Sequence, residues 1–135
     1  MLAHPGVRRW CDTWQRYSVP NRFLGISHQG RQAYAQASLT ERLCLRWRAH
    51  AERIDELVER LPESVLRVDY EALHADPTNT LRTLERFLGL RSSLSAVEAR
   101  GDSLFRWREG LSEQQRLVIA RVSGQDPDPV GAPPA

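Results

Sequence analysis

One block of the chain, residues 65–90, VLRVDYEALHADPTNTLRTLERFLGL, restricts the possible folds more than any other. Leu66, Val68 and Tyr70 alternate with Arg67 and Asp69, the period-two pattern of a strand with one apolar face, and so predict a strand over 65–70. The backbone is then expected to turn through 71–75. Asp76-Pro77 starts a helix: Asp76 can accept from the free amides of the first turn, and Pro77 has no amide to leave unsatisfied at the first helical position. Leu81, Leu84, Phe87 and Leu88 supply the apolar stripe, and Gly89 a left-handed stop.

The order Tyr70-Glu71-x-Leu73, Asp76-Pro77, then Leu81-x-x-Leu84-x-x-Phe87-Leu88-Gly89-Leu90 resembles the second half of a sulfotransferase domain. Those enzymes move a sulfonate from phosphoadenylyl sulfate (PAPS). A second likeness lies downstream, where Leu104-Phe105-Arg106-Trp107-Arg108-Glu109-Gly110-Leu111 leads into a helix that Ser112 and Gln115 can open as a capping box. By residue type alone, Arg106, Trp107 and Arg108 describe a surface Arg–Trp stack as readily as a phosphate site. The resemblance implies the second, a loop over the 3′-phosphate, for which forked guanidiniums and a flat indole are suited. It also implies that Tyr70 lies close to the adenine. The cofactor-binding candidates are therefore Tyr70, Arg106, Trp107 and Arg108, with PAPS as cosubstrate and no metal.

The fold implied is α/β, with this chain the C-terminal, mostly helical portion of a P-loop-like sulfotransferase fold carrying one clear strand. Residues 1–123 are expected to form a partial sulfotransferase-like domain and 124–135, GQDPDPVGAPPA, a disordered tail, since the tail has no apolar stripe and is dense in Pro and Gly. A lone strand leaves backbone donors and acceptors unpaired, so the missing partners point to an N-terminal half, or to a second copy of the chain. The family's phosphosulfate loop and its catalytic base belong to that first half. No catalytic residue is assigned, and the chain is expected to be inactive alone, with an unknown hydroxyl or amine acceptor. Leu2-Ala3-His4-Pro5 resembles the family's Arg-Asp/His-Pro turn for the 3′-phosphate. Ala3 stands where the family has Arg, and Cys11 where it has Ser, so neither is carried over. Asp69 and Glu71 look like an acid pair, but near a strand end they are expected to organise the turn or to pair with Arg.

Upstream, the spacing predicts a helix over 7–17 whose Trp10, Trp14 and Tyr17 serve core packing. A longer one runs over 38–61, opened by Ser38 and Glu41 as a capping box and closed by Pro62, with Leu39, Leu43, Trp47, Ile54, Leu57 and Leu61 on one face. A short helix is expected over 95–100 and a last one over 112–122.

Composition removes several function classes. All 19 cationic side chains are Arg, which excludes a Walker-type lysine and Schiff-base chemistry. A net charge of +2, with 17 acidic residues among the basic ones, disfavours a nucleic-acid binder. Two cysteines and four histidines show no metal spacing, and no disulfide is expected. The sequence lacks a membrane-spanning run or a leader-like start, and the cytoplasm is the default expectation. The competing reading is a non-catalytic helical module that binds a partner protein through the Trp10, Trp14 and Trp47 faces.

Overall fold

The computed structural model describes residues 4–91, 94 and 110–124. Short-range chemistry accounts for most of its elements: α1 (Pro5–Asp12) with a 3-10 turn (Trp14–Arg16), α2 (Arg31–Gln36), α3 (Leu39–Arg60), α4 (Tyr70–Ala75), α5 (Pro77–Leu88) and α6 (Glu113–Ser123). The chain divides into two compact units, one made of Met1–Arg53 with Leu111–Ala135, the other of Ile54–Gly110.

In the first unit the helix starts follow from capping. Ser38 Oγ accepts from the Glu41 amide at 3.3 Å while Glu41 Oε2 accepts from the Ser38 amide at 2.8 Å, a reciprocal box that opens α3. Ser112 and Gln115 repeat it for α6, which stops at Gly124 in the left-handed region. Arg42 closes α2 from outside: its Nε donates to the Tyr34 carbonyl at 3.0 Å and its Nη2 to that of Ala35 at 2.9 Å, both in the last turn of the short helix.

Between α1 and α2 the chain makes a tight loop. Asn21 and Ile26 exchange two backbone hydrogen bonds (2.8 and 2.9 Å), and Asn21 Oδ1 accepts from the Leu24 amide at 3.0 Å. Gly25 turns it with φ +73° and lies against α3. The buried core of this unit is Cys11, Trp14, Leu24, Ile26, Tyr34 and Leu43, with Val7, Val19, Leu39 and Leu45 packed around it. Trp14 meets Tyr34 edge to face at 5.6 Å.

In the second unit, Asp76 caps α5 as its sequence indicates, Oδ1 accepting from the Asn79 amide at 3.0 Å, and Gly89 ends it with φ +63° while the Leu90 amide reaches the Glu85 carbonyl at 3.0 Å. Thr80 Oγ1 donates to the Ala72 carbonyl at 3.2 Å and ties α5 to α4. None of the described residues of this unit is fully buried.

Four expectations change, and the first is that 71–75, expected to turn, are helical within α4 (Tyr70–Ala75). The strand over 65–70 is absent: 65–69 lie outside helix and strand, Asp69 has extended dihedrals (φ −84°, ψ 132°), and Tyr70 already belongs to α4. Alternation fixes which side chains share a face, but a strand also needs a neighbour for its amides. Among the described residues, the one β-type pairing is the antiparallel bridge between Asn21 and Ile26. The described fold is accordingly mostly helical, and the α/β description with one strand does not hold for these residues. The helix over 7–17 breaks after Asp12, with Trp14 buried but Trp10 and Tyr17 39% and 40% exposed. Along α3 the apolar face is buried at Leu43 and half-buried at Trp47, whereas Ile54, and Leu61 just beyond the helix, are exposed. The helix expected over 95–100 and the tail over 125–135 lie outside the described residues.

Candidate functional site

Tyr70 occupies the first position of α4 and is 51% exposed. Its placement is set by the residues before it. Asp69 precedes the helix without capping it by side chain; its Oδ1 instead accepts from Arg67 Nε at 3.0 Å, and Arg67 Nη1 donates to Asp55 Oδ1 at 2.8 Å. One guanidinium therefore fastens the extended run to the last turns of α3, all within the second unit. Hydrogen bonding to Asp69 first, then to Asp55, holds the Arg67 proton more firmly than usual. Asp69 thus pairs with Arg, and no free acid pair remains beside Tyr70. Arg106, Trp107 and Arg108 lie outside the described residues.

At the other end of the sequence, Cys11 is fully buried in the core of the first unit. Burial pushes its thiol up, against the lowering pull of the Tyr34 hydroxyl and of Arg46 and Arg42. Burial also raises Tyr34. Cys44 is likewise buried and raised, and both thiols are free. Among the described residues no group of His, Cys, Asp or Glu could hold a metal, and no helix is long and apolar enough to cross a membrane.

Two further features of the first unit escaped the sequence. A groove of about 400 Å³ is lined by Ser38, Glu41, Gln114, Leu117, Val118 and Arg121. Its acid is already engaged: Glu41 accepts from Ser38 and, through Oε1, from Arg121 Nη2 at 2.6 Å. Hydrogen bonds from the Ser38 backbone and hydroxyl, ahead of the Arg121 charge, hold the Glu41 carboxyl below the usual range. The second feature is an aromatic and cationic cluster. Phe23, at the tip of the tight loop, meets Trp10 edge to face at 5.2 Å and His50 at 5.4 Å, and the Arg46 guanidinium lies 4.4 Å from its ring centre. Arg46 and His50 stand one turn apart on α3; that i,i+4 spacing was the only signal available in sequence.

Residues 12–93, more than half of the 135, match the model of the sulfotransferase family. No curated protein and no solved structure matches the chain. The matched span contains the Tyr70 turn, the Asp76 cap and the Gly89 stop, and ends just beyond them. On that match, the chain belongs to the sulfotransferase family.

Proposed function

We propose that the protein serves sulfonate transfer from PAPS to a hydroxyl or amine acceptor, and that this chain supplies nucleotide contacts rather than the bond-breaking groups. The family match carries the reading. Tyr70 offers a half-exposed ring at a turn stiffened by Arg67, which suits packing against a purine. Arg106, Trp107 and Arg108 would receive the 3′-phosphate through bidentate, charge-assisted hydrogen bonds, with the indole as a wall. PAPS, when bound, supplies the sulfonate. No residue here is assigned as general base or as the phosphosulfate cradle, so the chain alone is expected to bind nucleotide without turnover.

The test is titration of adenosine 3′,5′-bisphosphate into the full chain by calorimetry. Saturable binding is expected, weakened at least tenfold by Arg106→Ala or Arg108→Ala and severalfold by Tyr70→Ala. If the bisphosphate does not bind, or binds equally to all three variants, the nucleotide assignment is wrong.

A further inference from the structure

Charge is divided unevenly along the chain, which the net value of +2 conceals. Residues 4–53 hold nine arginines against three carboxylates, Asp12, Glu41 and Glu52, whereas 54–91 hold five arginines against eight carboxylates. Two of the three acids in the first stretch are engaged, Glu41 by Ser38 and Arg121 and Glu52 by Arg48 at 3.6 Å. Arg8, Arg9, Arg16 and Arg22 are exposed, and among the described residues none of them meets a carboxylate. The first unit thus carries a cationic surface with little counter-charge of its own.

Aromatic rings stand on that surface. Trp10 follows Arg9 on α1, and Phe23 follows Arg22 at the tip of the tight loop. The two rings meet edge to face at 5.2 Å, which joins helix and loop into one patch, and the Arg46 guanidinium, 4.4 Å from the Phe23 ring centre, extends it onto α3. Trp10 is 39% and Phe23 43% exposed, and Tyr17, between them in the chain, is 40% exposed. A single exposed apolar side chain is ordinary, but touching rings rimmed by arginines mark a surface that meets something else.

The loop beneath Phe23 is braced. Leu24 and Ile26 are 1% and 3% exposed, Asn21 and Ile26 close the base with two backbone hydrogen bonds, and Gly25 lies against the Leu45 carbonyl. Phe23 can therefore enter an apolar phase as it stands, with no side chain turned and no backbone ordered.

We propose that Trp10 and Phe23, flanked by Arg9, Arg22 and Arg46, dock the protein on an anionic lipid bilayer. The arginines lie among the phosphate headgroups, the indole of Trp10 sits at the interface, and Phe23, which has no polar tip, reaches the acyl boundary beneath. A polynucleotide would match the charge but not the rings, which stand at 71° to each other and offer no parallel pair for successive bases. None of these five residues is assigned to the nucleotide, so the inference stands or falls separately from the one above.

The probe is sucrose-loaded vesicles of phosphatidylcholine, with and without about one-third phosphatidylglycerol, sedimented with the full chain. Binding to the anionic vesicles is expected to be at least tenfold stronger than to the neutral ones, and to fall at least tenfold between about 0.1 M and about 0.5 M NaCl. Soluble glycerophosphoglycerol, the headgroup without its chains, should not compete. Phe23→Ala and the double variant Arg9→Gln with Arg22→Gln should each weaken binding at least fivefold, while Arg82→Gln on α5 should leave it unchanged. All four positions are exposed, so these variants keep the packed residues in place. Insertion is read separately, from quenching of tryptophan fluorescence by brominated lipid, which should be strong in the parent and largely lost in Trp10→Phe. Absence of vesicle binding, equal binding to neutral and anionic vesicles, competition by the soluble headgroup, tighter binding of single-stranded RNA, full binding by Phe23→Ala, or quenching that survives Trp10→Phe would each overturn the proposal.

Discussion

A methyl group placed on Gly25 would stand 2.5 Å from the carbonyl oxygen of Leu45. This contact brings the tight loop against α3, and Gly25 also adopts φ +73°, where side chains are strained. Gly25→Ala should therefore destabilise the protein by about 2–4 kcal/mol, the sum of a left-handed penalty and a backbone clash. Chemical denaturation will show it as a lower midpoint at an unchanged slope. An effect below about 0.5 kcal/mol would mean that the loop lifts away freely.

Two aspartates preceding helices should behave differently. Asp76 accepts from the Asn79 amide, whereas Asp69 spends its carboxylate on Arg67. Asp76→Ala should cost about 1 kcal/mol, the usual value of an N-cap. Asp69→Ala should cost less, because its partner is exposed and retains Asp55. Equilibrium melts of the two variants give the comparison, and the reverse ranking would contradict it.

Acid should act through Glu41. Its folded pKa lies below the ordinary carboxylate value of 4.5, so the stabilisation it provides is present above that value and is lost as pH falls through the depressed folded one. Glu41→Gln keeps an acceptor for the capping box but removes the titrating charge. Below pH 4.5 the melting temperature of the parent should fall more steeply than that of the variant. Parallel curves over pH 3–7 would contradict this assignment.

Thiol chemistry should report the core. Cys11 and Cys44 are 0% and 6% exposed and both are held above the usual thiol value by burial. A disulfide reagent such as DTNB at neutral pH should leave both unmodified in the native protein and react with both after denaturation. Rapid native labelling of either one would show that the packing around it opens readily.

The features legible in the sequence were local. The Ser38–Glu41 and Ser112–Gln115 boxes, the Asp76 cap and the Gly89 stop depend on groups three or four residues apart, so their chemistry is written in adjacent letters. The strand over 65–70 failed for the opposite reason. Alternation at Leu66, Val68 and Tyr70 describes facing, while pairing depends on a distant segment, and here Tyr70 turns into α4 instead. The exposed positions of Ile54 and Leu61 follow the same rule, because periodicity names a face but not what covers it. Of the candidate site, Tyr70 was singled out in sequence through family spacing, and the structure places it exposed at the start of α4. Phe23 was not singled out, since its meeting with Arg46 and His50 joins a loop to a helix more than twenty residues away.

Neighbouring residues Glu41 and Arg42 face different helices. Arg42 grips the carbonyl end of α2, and Glu41 grips Arg121 on α6 as well as its own helix start. A guanidinium keeps its proton throughout any pH at which the chain is folded, while a carboxylate does not. The first turn of α3 therefore has a permanent joint on one side and an acid-releasable one on the other, so acid strong enough to protonate Glu41, below the ordinary carboxylate range, would loosen the hold on α6 while α2 remains clasped.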